Sequence, residues 1–431
     1  MQVSIESMGA LERRMEVQVP AEKIEKAVDE RLQKMSRTVR LKGFRPGKVP
    51  VKVVRQQFGP QVRQEVLGDL VQSSFNEAVV QEKLVPAAGP RVEPLSMGQT
   101  GDLKYRAVFE VLPDVDLKGI EGMELSRHAA EVQPADVDAM IENLRDQRAT
   151  YAPADRPAQA KDRVTVDFEG TVDGQPFEGG KGEGVAVVLG AGRMLADFEA
   201  GLFGMTAGER KAISLTFPAN YNAQHLANRV ATFDVTVKSV EGQQLPDLNE
   251  EFCKSYGVES GGIERLREEV TENMRRELGD AVRARLKKQV MDSLLAANPI
   301  ELPKTLVESQ VREMQMDAGR RMGAQDVSQL PAAESFVEAA RRRVALSLLI
   351  NEVIRTAKIQ LDQAKVILRF EELSQQFPDS AQAMQTYRGN PQIQRQMEAG
   401  VLEDQVVDWL VERAKISDKP SSFKELMNFG A

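Results

Sequence analysis

The N-terminal part of the chain switches between two spacings of apolar residues. Apolar residues recur at every second position over 3–5 and again over 15–19, which is typical of two strands that each bury one face. After Pro20 the spacing changes to three and four residues, which predicts a helix. The apolar positions of this helix are Ile24, Val28, Leu32, Met35 and Val39.

The stretch LKGFRPGKVP (residues 41–50) ends that helix, since glycine and proline fill four of its ten positions. A second long helix is predicted at about 61–84. Strands near 91–97 and 103–112 follow it. Residues 1–112 are therefore predicted to form one α+β domain.

The rest of the chain divides into three parts with different patterns. Residues 113–150 are predicted to be a connector that holds one helix, Pro134–Gln147, and packs with the C-terminal part. From 151 to 245 glycine is dense, apolar residues alternate, and six of the sixteen phenylalanines occur. This pattern predicts a β-rich domain with one short helix. From 246 to 431 the spacing is almost entirely helical.

The pattern also predicts individual elements in the second half of the chain. In the middle domain we predict strands at 163–171, 185–189, 209–217 and 230–240 and a helix at 194–202. In the C-terminal part we predict helices at 248–297, 304–322, 334–357, 362–376 and 391–414. The predicted fold class is a multidomain α+β protein with a β-rich middle domain and an all-α C-terminal domain.

Composition places the chain among folded proteins of a reducing compartment. Of its 431 residues, 42% are hydrophobic and 28% are charged, which excludes a disordered chain. A single cysteine, Cys253, excludes an internal disulfide, and we interpret it as a small buried apolar residue. No apolar run reaches the roughly 18 residues of a spanning helix, and no basic-then-apolar leader opens the chain. We therefore expect a cytoplasmic protein.

Charge is distributed unevenly along the sequence. Residues 31–64 contain ten basic and no acidic residues. Because the net charge of the whole chain is −8, the other 397 residues together carry a net charge of −18. Phe44, Arg45 and Lys48 lie at the centre of this basic segment, in a tight turn that could present them to RNA or to a protein. On charge alone, a solvated helix end with Phe44 packed into its own domain is the more frequent case.

Sites for several classes of chemistry are missing from the sequence. His128 and His225 lack the spacing of zinc ligands, and the chain contains no nucleophile motif GxSxG and no phosphate-binding GxxxxGK[ST]. The glycine-rich stretch 178–184 lacks the Ser or Thr of a phosphate loop and precedes a strand. We therefore expect no metal, nucleotide or other cofactor.

The middle domain offers a different kind of site. Phe168, Phe177, Phe198, Tyr221 and Phe233 come from separate predicted strands, the helix and a loop. Taken singly, each phenylalanine is more often an ordinary core residue than a pocket residue. Tyr221 lies in the polar loop PANYNAQHL, which favours the edge of a pocket whose hydroxyl bonds a ligand carbonyl.

Three sets of motifs together resemble one protein family. The loop GFRPGKVP (43–50) is similar to the ribosome-docking signature of the bacterial trigger factor family. The stretches VTVDFEGTVDGQPFEGG (164–180), VVLGAGRMLADFEAGL (187–202) and ATFDVTVKSV (231–240) resemble FKBP-type peptidyl-prolyl isomerases. The stretches LNEEFCKSYG (248–257) and NPIELPKTLVESQV (298–311) resemble the C-terminal part of the same family.

This resemblance implies roles for particular residues. It implies that Phe44, Arg45 and Lys48 dock on the large ribosomal subunit near the nascent-chain exit, in contrast to what charge alone favours. The positions that match the FKBP-type proline pocket are Phe168, Phe177, Glu178, Met194, Leu195, Phe198, Tyr221 and Phe233. Val185 stands where simple FKBPs usually have an aromatic residue, so we expect one pocket wall to be lower. Asp197 stands where a Gly often precedes the helix aromatic, and both departures bear on the strength of the isomerase and not on the fold.

The resemblance also implies a function and partners. It implies an ATP-independent chaperone whose N-terminal domain binds the ribosome, whose middle domain isomerises X–Pro bonds, and whose C-terminal helical arms hold nascent and unfolded polypeptides. The family's links to protein export and cell division, and its homodimer off the ribosome, are further expectations; a membrane or free DNA or RNA is not an expected partner. Two alternatives stay open: a free isomerase that does not need residues 44–48, and an RNA-binding module that uses the basic segment.

Overall fold

The structure is a computed structural model that describes residues 1–41, 44, 48–97, 101–219, 221, 223–324, 326–374, 377 and 379–427. Its chain divides into two compact units, one of Met1–Arg127 with Ala284–Asp418, and one of His128–Arg283 with the residues from Lys419 onward. Over the described residues, none of the helices is long and apolar enough to cross a bilayer.

The first unit begins with an antiparallel sheet covered by two helices. The strands are β1 (Gln2–Ser7), β2 (Glu12–Val19), β3 (Arg91–Met97) and β4 (Leu103–Glu110), in the order β1-β2-β4-β3. The helices are α1 (Ala21–Thr38) and α2 (Val51–Gln81). Alternate residues of β2 and β4 and one face of α1 are buried in a common core, as the apolar spacing predicts.

Helix α2 begins about ten residues earlier than predicted, and it runs through Pro60. A proline inside a helix removes one hydrogen bond and commonly ends or kinks the helix, which is why the sequence indicated a start after it. Val54 and Val62 lie on either side of Pro60 and are both fully buried. Their burial in the domain core compensates for the lost hydrogen bond.

The same unit contains most of the C-terminal helices. They are α7 (Lys304–Arg321), α8 (Val337–Ala357), α9 (Gln363–Ser374), α10 (Ser380–Gly389) and α11 (Pro391–Val411), with short 3-10 turns at Val327–Gln329 and Ala333–Phe336 before α8. The end of α6 (Gly262–Ala297) packs with α8 and α11 through apolar residues such as Leu294, Leu349 and Leu410. This part also has a strand that the sequence did not predict, β11 (Lys415–Pro420), which pairs with β5 (Glu124–Ala129).

The second unit contains α3 (Pro134–Gln147), α5 (Glu250–Ser255), the start of α6, and α12 (Phe423–Met427) around one apolar cluster. Cys253 is buried in this cluster, as the sequence predicts. The single helix predicted over 248–297 is wrong, because α5 and α6 are separate helices. Gly257, with φ of 86°, follows the last turn of α5 in the conformation that ends a helix, and Gly261, with φ of 91°, directly precedes α6.

The β-rich part of this unit is a five-stranded antiparallel sheet with one short helix. Its strands are β6 (Thr150–Pro153), β7 (Arg163–Val172), β8 (Gln175–Val188), β9 (Arg210–Thr216) and β10 (Val230–Gln244), and its helix is α4 (Ala196–Leu202). Four of these strands follow the order β6-β10-β7-β8. The fifth, β9, pairs with Val230–Thr236 at the start of β10, while β6 pairs with Glu241–Gln244 at its end. Strand β8 starts ten residues before its predicted position, so that the glycine-rich stretch 178–184 is part of the sheet and not a phosphate loop.

Candidate functional site

Aromatic rings from different elements of the five-stranded sheet meet at one place. The Phe233 ring of β10 lies 5.8 Å from Phe168 of β7, 6.0 Å from Phe177 of β8 and 5.5 Å from Phe198 of α4, measured between ring centroids. All three contacts are edge-to-face, the arrangement that the charge distribution of aromatic rings favours. The structure therefore brings the four predicted pocket phenylalanines together, with Phe233 at the centre of the other three.

These rings differ in their exposure. Phe198 and Phe233 are 2% and 7% exposed and form the base of the group. The half-buried apolar residues that pack against the core of this domain are Phe168, Phe177, Val185, Met194, Leu195, Tyr221 and Ala223. A buried aromatic base under half-buried apolar side chains is a surface that can remove a small apolar ring, such as that of proline, from water.

Two glycines allow the rings to lie directly against the sheet. A Cβ atom on Gly170 of β7 would lie 2.5 Å from the Phe233 ring, and one on Gly182 of β8 would lie 2.7 Å from the Phe168 ring. Both distances are too short for any side chain, so the ring positions depend on glycine at these places.

Tyr221 lies at the edge of this group. Its ring is half-buried and stacks on Phe217 at a centroid distance of 4.6 Å and an interplanar angle of 45°. No described residue forms a hydrogen bond with its hydroxyl, which leaves the O–H able to donate to a ligand. This position fits the sequence-based interpretation of Tyr221 as a pocket edge.

Glu178 and Asp197 lie differently from the aromatic residues. Both are exposed, and neither belongs to the apolar cluster that the rings form with the core. Of the eight predicted pocket residues only Glu178 and Tyr221 can ionise, so the site offers mainly apolar surface. Val185, at the place of an aromatic residue in simple FKBPs, is half-buried and packs against the same core.

The structure adds one residue that the sequence pattern did not single out. The carboxylate of Glu199, on α4 next to Phe198, accepts hydrogen bonds from the backbone N–H groups of Gly190 at 2.9 Å and Met194 at 3.1 Å. Glu199 is only 5% exposed. It therefore fixes the loop that carries Met194 and Leu195. The sequence contained one signal for this role of Glu199: an acidic residue occupies a position of α4 that, by the helical spacing, faces the core.

The basic loop of the first unit is the second candidate site. Phe44 is 39% exposed, so the described structure does not bury its ring in the domain core. Lys48 is exposed, and the next residue, Val49, is buried and anchors the end of the loop. Arg45, the third predicted docking residue, lies outside the described residues.

Three sequence profiles of known families match successive segments of the chain. A sequence profile of bacterial trigger factor protein (TF) matches residues 1–144, a profile of FKBP-type peptidyl-prolyl cis-trans isomerase matches 154–238, and a profile of the C-terminus of bacterial trigger factor protein matches 262–412.

Full-length relatives agree with these profiles. A trigger factor of Thioalkalivibrio sulfidiphilus is 46% identical over 428 residues, which are 99% of this chain and 98% of the relative. One of Alkalilimnicola ehrlichii is 45% identical over 99% of this chain and 96% of the relative, and one of Pseudomonas putida is 44% identical over 99% and 97%.

Proposed function

Because this chain belongs to the bacterial trigger factor family, we propose that it is a chaperone that binds ribosomes, holds newly made polypeptides and isomerises their X–Pro bonds. The observation that carries this proposal is the identity of 46% over 99% of the chain, which includes the N-terminal domain and the C-terminal helices. A free isomerase would need only the middle domain, so the relationship over the whole length favours the chaperone.

The chemistry of the aromatic site suits isomerisation without a nucleophile. Rotation about an X–Pro bond faces a barrier of roughly 18–20 kcal/mol, because the planar amide is stabilised by resonance. The twisted transition state loses this resonance and much of the amide's polarity. An apolar site that removes the amide from water therefore destabilises the planar form more than the twisted one.

We assign the parts of this mechanism to separate residues. Phe198 and Phe233 form the base on which the proline ring rests, while Met194 and Leu195 hold it from the side. The Tyr221 hydroxyl donates to the substrate carbonyl as the amide twists. Glu178, which is exposed, is proposed only to contact the substrate chain beyond the proline.

The proposed ribosome contact is made by Phe44, Arg45 and Lys48 on the large subunit, near the exit of the nascent chain. The exposure of Phe44 supports it, because a ring that its own domain leaves 39% exposed is available to fill a crevice on a partner surface. Arg45 can pair bidentately with a phosphate or a carboxylate, and Lys48 adds a second charge.

The C-terminal helices are proposed to hold clients weakly. Several apolar side chains of these helices are exposed. Met316 on α7 is 45% exposed, Met322 just after α7 is 72% exposed, and Leu368 on α9 is 55% exposed. Methionine adapts to varied apolar partners, and ordering a flexible client costs entropy, so binding without nucleotide is expected to be reversible. Some parts of the proposal rest on the sequence and the resemblance alone. They are the domain bounds 1–112, 113–150, 151–245 and 246–431, a cytoplasmic location, a homodimer off the ribosome, and roles in export and cell division.

The isomerase part is tested by removing one hydroxyl. Tyr221→Phe keeps the stack on Phe217 but loses the donor, so kcat/KM for a short X–Pro peptide should fall about three- to tenfold, the value of one hydrogen bond. Tyr221→Ala should lower it further, and Tyr151→Phe on β6 is the matched control that should leave it unchanged. Wild-type rates in both Tyr221 variants would contradict the mechanism.

A further inference from the structure

Strand β8 contains a β-bulge next to the aromatic site. Val166 of β7 pairs with Val185 of β8, and Phe168 pairs with Gly182. Two residues of β8, at 183–184, therefore lie opposite one residue of β7, which is the arrangement of a bulge. The bulge shifts the pairing of everything beyond it by one residue.

This shift decides which side chain lies against Phe168. Residues that pair directly across two antiparallel strands point to the same face of the sheet, and Val166 and Phe168 both face the domain core. Without the bulge, the residue opposite Phe168 would be Glu183, and its carboxylate would lie in the apolar site. With the bulge that residue is Gly182, while Glu183 is exposed and forms an ion pair with Lys181 at 3.1 Å.

The packing of the aromatic site depends on the same register. A Cβ atom on Gly182 would lie 2.7 Å from the Phe168 ring and 2.9 Å from a methyl group of Val185. The Phe168 ring in turn lies 5.6 Å from Phe198 and 5.8 Å from Phe233, measured between ring centroids. A change in the bulge therefore moves Phe168 or Val185 relative to the base of the site.

Asp167 is the residue of β7 that lies opposite the bulge. Its side chain is on the face of the sheet away from the core, because its two neighbours in β7 face the core. One carboxylate oxygen accepts a hydrogen bond from the N–H of Gly184 at 2.7 Å, and the other pairs with the Lys238 ammonium at 2.9 Å. Lys238 belongs to a second bulge, since β10 advances by two residues between Val237 and Ser239 while β7 advances by one. Asp167 therefore joins two bulges on opposite sides of β7.

The charge of Asp167 and the conformation of Gly184 suit this contact. Gly184 has a φ of 63°, a conformation that favours glycine. The Lys238 ammonium, and after it the Gly184 N–H, holds the pKa of Asp167 below its ordinary value of 3.8. The carboxylate is therefore ionised at neutral pH and accepts both bonds.

We propose that Asp167 is a positioning residue of the isomerase, which holds the bulge of β8 and thereby fixes Gly182 and Val185 against Phe168. The inference rests on the proposed isomerisation at the aromatic site and adds to it a residue on the opposite face of the sheet. Bulges commonly lie next to active sites, where they direct a side chain. The glycine-rich stretch 178–184 thus has a role, because its glycines let the strand bulge and approach the rings.

The test measures KM and kcat of the full-length protein with a short X–Pro peptide. Asp167→Ala removes both bonds and should raise KM about three- to tenfold, because Phe168 and Val185 lose their fixed position. Asp167→Asn keeps an acceptor of the same length for the Gly184 amide and should return KM to within about twofold of the wild type.

A control and a second variant accompany this comparison. Asp234 lies on the same face of the sheet outside both bulges and pairs with Arg210 at 3.0 Å, so Asp234→Ala should keep the wild-type KM. Asp167→Glu keeps the charge that pairs with Lys238, but its extra methylene group displaces the oxygen from the Gly184 amide. KM should therefore rise in Asp167→Glu as well, which decides the question even if Asp167→Ala does not fold.

A merely structural role of Asp167 gives a different result. Loss of folded protein lowers the apparent kcat and leaves KM unchanged, and this outcome would overturn the inference. A KM in Asp167→Asn as high as in Asp167→Ala would overturn it too, because the bulge would then not depend on the acceptor. A wild type that does not isomerise the peptide would instead refute the proposed isomerase itself, whatever the variants do.

Discussion

Glu199 links the isomerase site to the fold through a single side chain. Its carboxylate holds the loop 190–195 by two backbone N–H groups, and a glutamine at this position can accept only one of them. Its amide nitrogen would face the other donor, so that one buried hydrogen bond is lost at a cost of about 1–3 kcal/mol. We therefore expect Glu199→Gln to raise KM for a short X–Pro peptide severalfold, because Met194 and Leu195 lose their fixed position.

A matched control distinguishes positioning from general stability. Glu209 accepts hydrogen bonds from the backbone N–H of Thr206 at 2.9 Å and from its hydroxyl, in a turn that carries none of the predicted pocket residues. Glu209→Ala removes both of these bonds and should lower the melting temperature without altering KM. Equal KM values in both variants and the wild type would show that Glu199 has only a structural role.

Asp162, in the turn before β7, makes the stability of the middle domain depend on pH. Its side chain is 3% exposed and accepts two hydrogen bonds from Arg156, at 2.6 and 2.9 Å, and one from the N–H of Gln159 at 2.8 Å. The Arg156 guanidinium is the main cause that holds the pKa of Asp162 below its ordinary value of 3.8, against the effect of burial.

A carboxyl group whose pKa is lower in the folded state stabilises that state at pH values above its ordinary pKa. This stabilisation is lost as the pH falls through the pKa of the folded state. Because Arg156 is partly exposed, we expect Asp162→Asn to cost about 1–2 kcal/mol at neutral pH. Calorimetry of the full chain from about pH 7 to about pH 3 should show that the difference in unfolding free energy between the wild type and Asp162→Asn becomes smaller at acid pH. A gap that stays constant over the whole range would refute the assignment.

At the residue scale, the sequence predicts which aromatic residues form the site better than it predicts the residues that hold them in place. Phe168, Phe177, Phe198 and Phe233 are recognisable because large apolar residues at alternating or helical positions must face a core. Glu199 is not, because its value depends on backbone N–H groups whose directions only the folded loop defines. Gly170 and Gly182 are likewise ordinary glycines in the sequence, and the rings beside them give them their role.

At the scale of elements, β4 supplies the N-terminal cap of α7. Pro303 precedes α7 and makes no side-chain capping bond. The Glu110 carboxylate at the end of β4 instead accepts hydrogen bonds from the N–H groups of Lys304 at 3.0 Å and Thr305 at 2.8 Å and from the Thr305 hydroxyl at 2.7 Å. Burial would raise the pKa of Glu110, but these bonds outweigh it and lower the pKa.

We expect Glu110→Gln to loosen the first turn of α7 by about 1 kcal/mol, the usual value of a helix cap with its charge. Amide hydrogen exchange of Lys304 and Thr305 should accelerate about fivefold as a result. Glu308→Gln removes the same charge from the exposed face of α7 and should leave these two amides unchanged. Equal exchange rates in the Glu110→Gln variant and the wild type would rule out the cap.

Elements with a clear apolar period are predictable in this chain, and those that override a local signal are not. The strands β2 and β4 and the helices α1 and α3 occur where the spacing predicts them. Helix α2 passes through Pro60, and β8 passes through the glycines of 178–184, because long-range packing and strand pairing compensate for poor local propensity. The short pair of β5 and β11 joins distant parts of the sequence, so no local pattern indicates it.

At the scale of the whole molecule, charge and domain order are consistent with separate functions for the N-terminal, middle and C-terminal parts of the chain. The positive segment contains the exposed Phe44, the aromatic site lies in a separate β-rich domain, and exposed apolar residues occur on the helices that follow. The order of these parts is visible in the sequence because each has its own composition and spacing. The identity of the partners is not, since a basic segment alone fits RNA and protein equally well.

Co-sedimentation with bacterial ribosomes tests the central claim most directly. The wild type is compared with the Phe44→Ala/Arg45→Ala/Lys48→Ala variant at moderate salt, and normal isomerisation of a short peptide serves as the control for folding. We predict that the wild type pellets with ribosomes and that the variant stays in the supernatant. If both pellet equally, the contact lies elsewhere on the chain; if neither pellets, the protein is a free isomerase and its proposed role as a ribosome-bound chaperone is wrong.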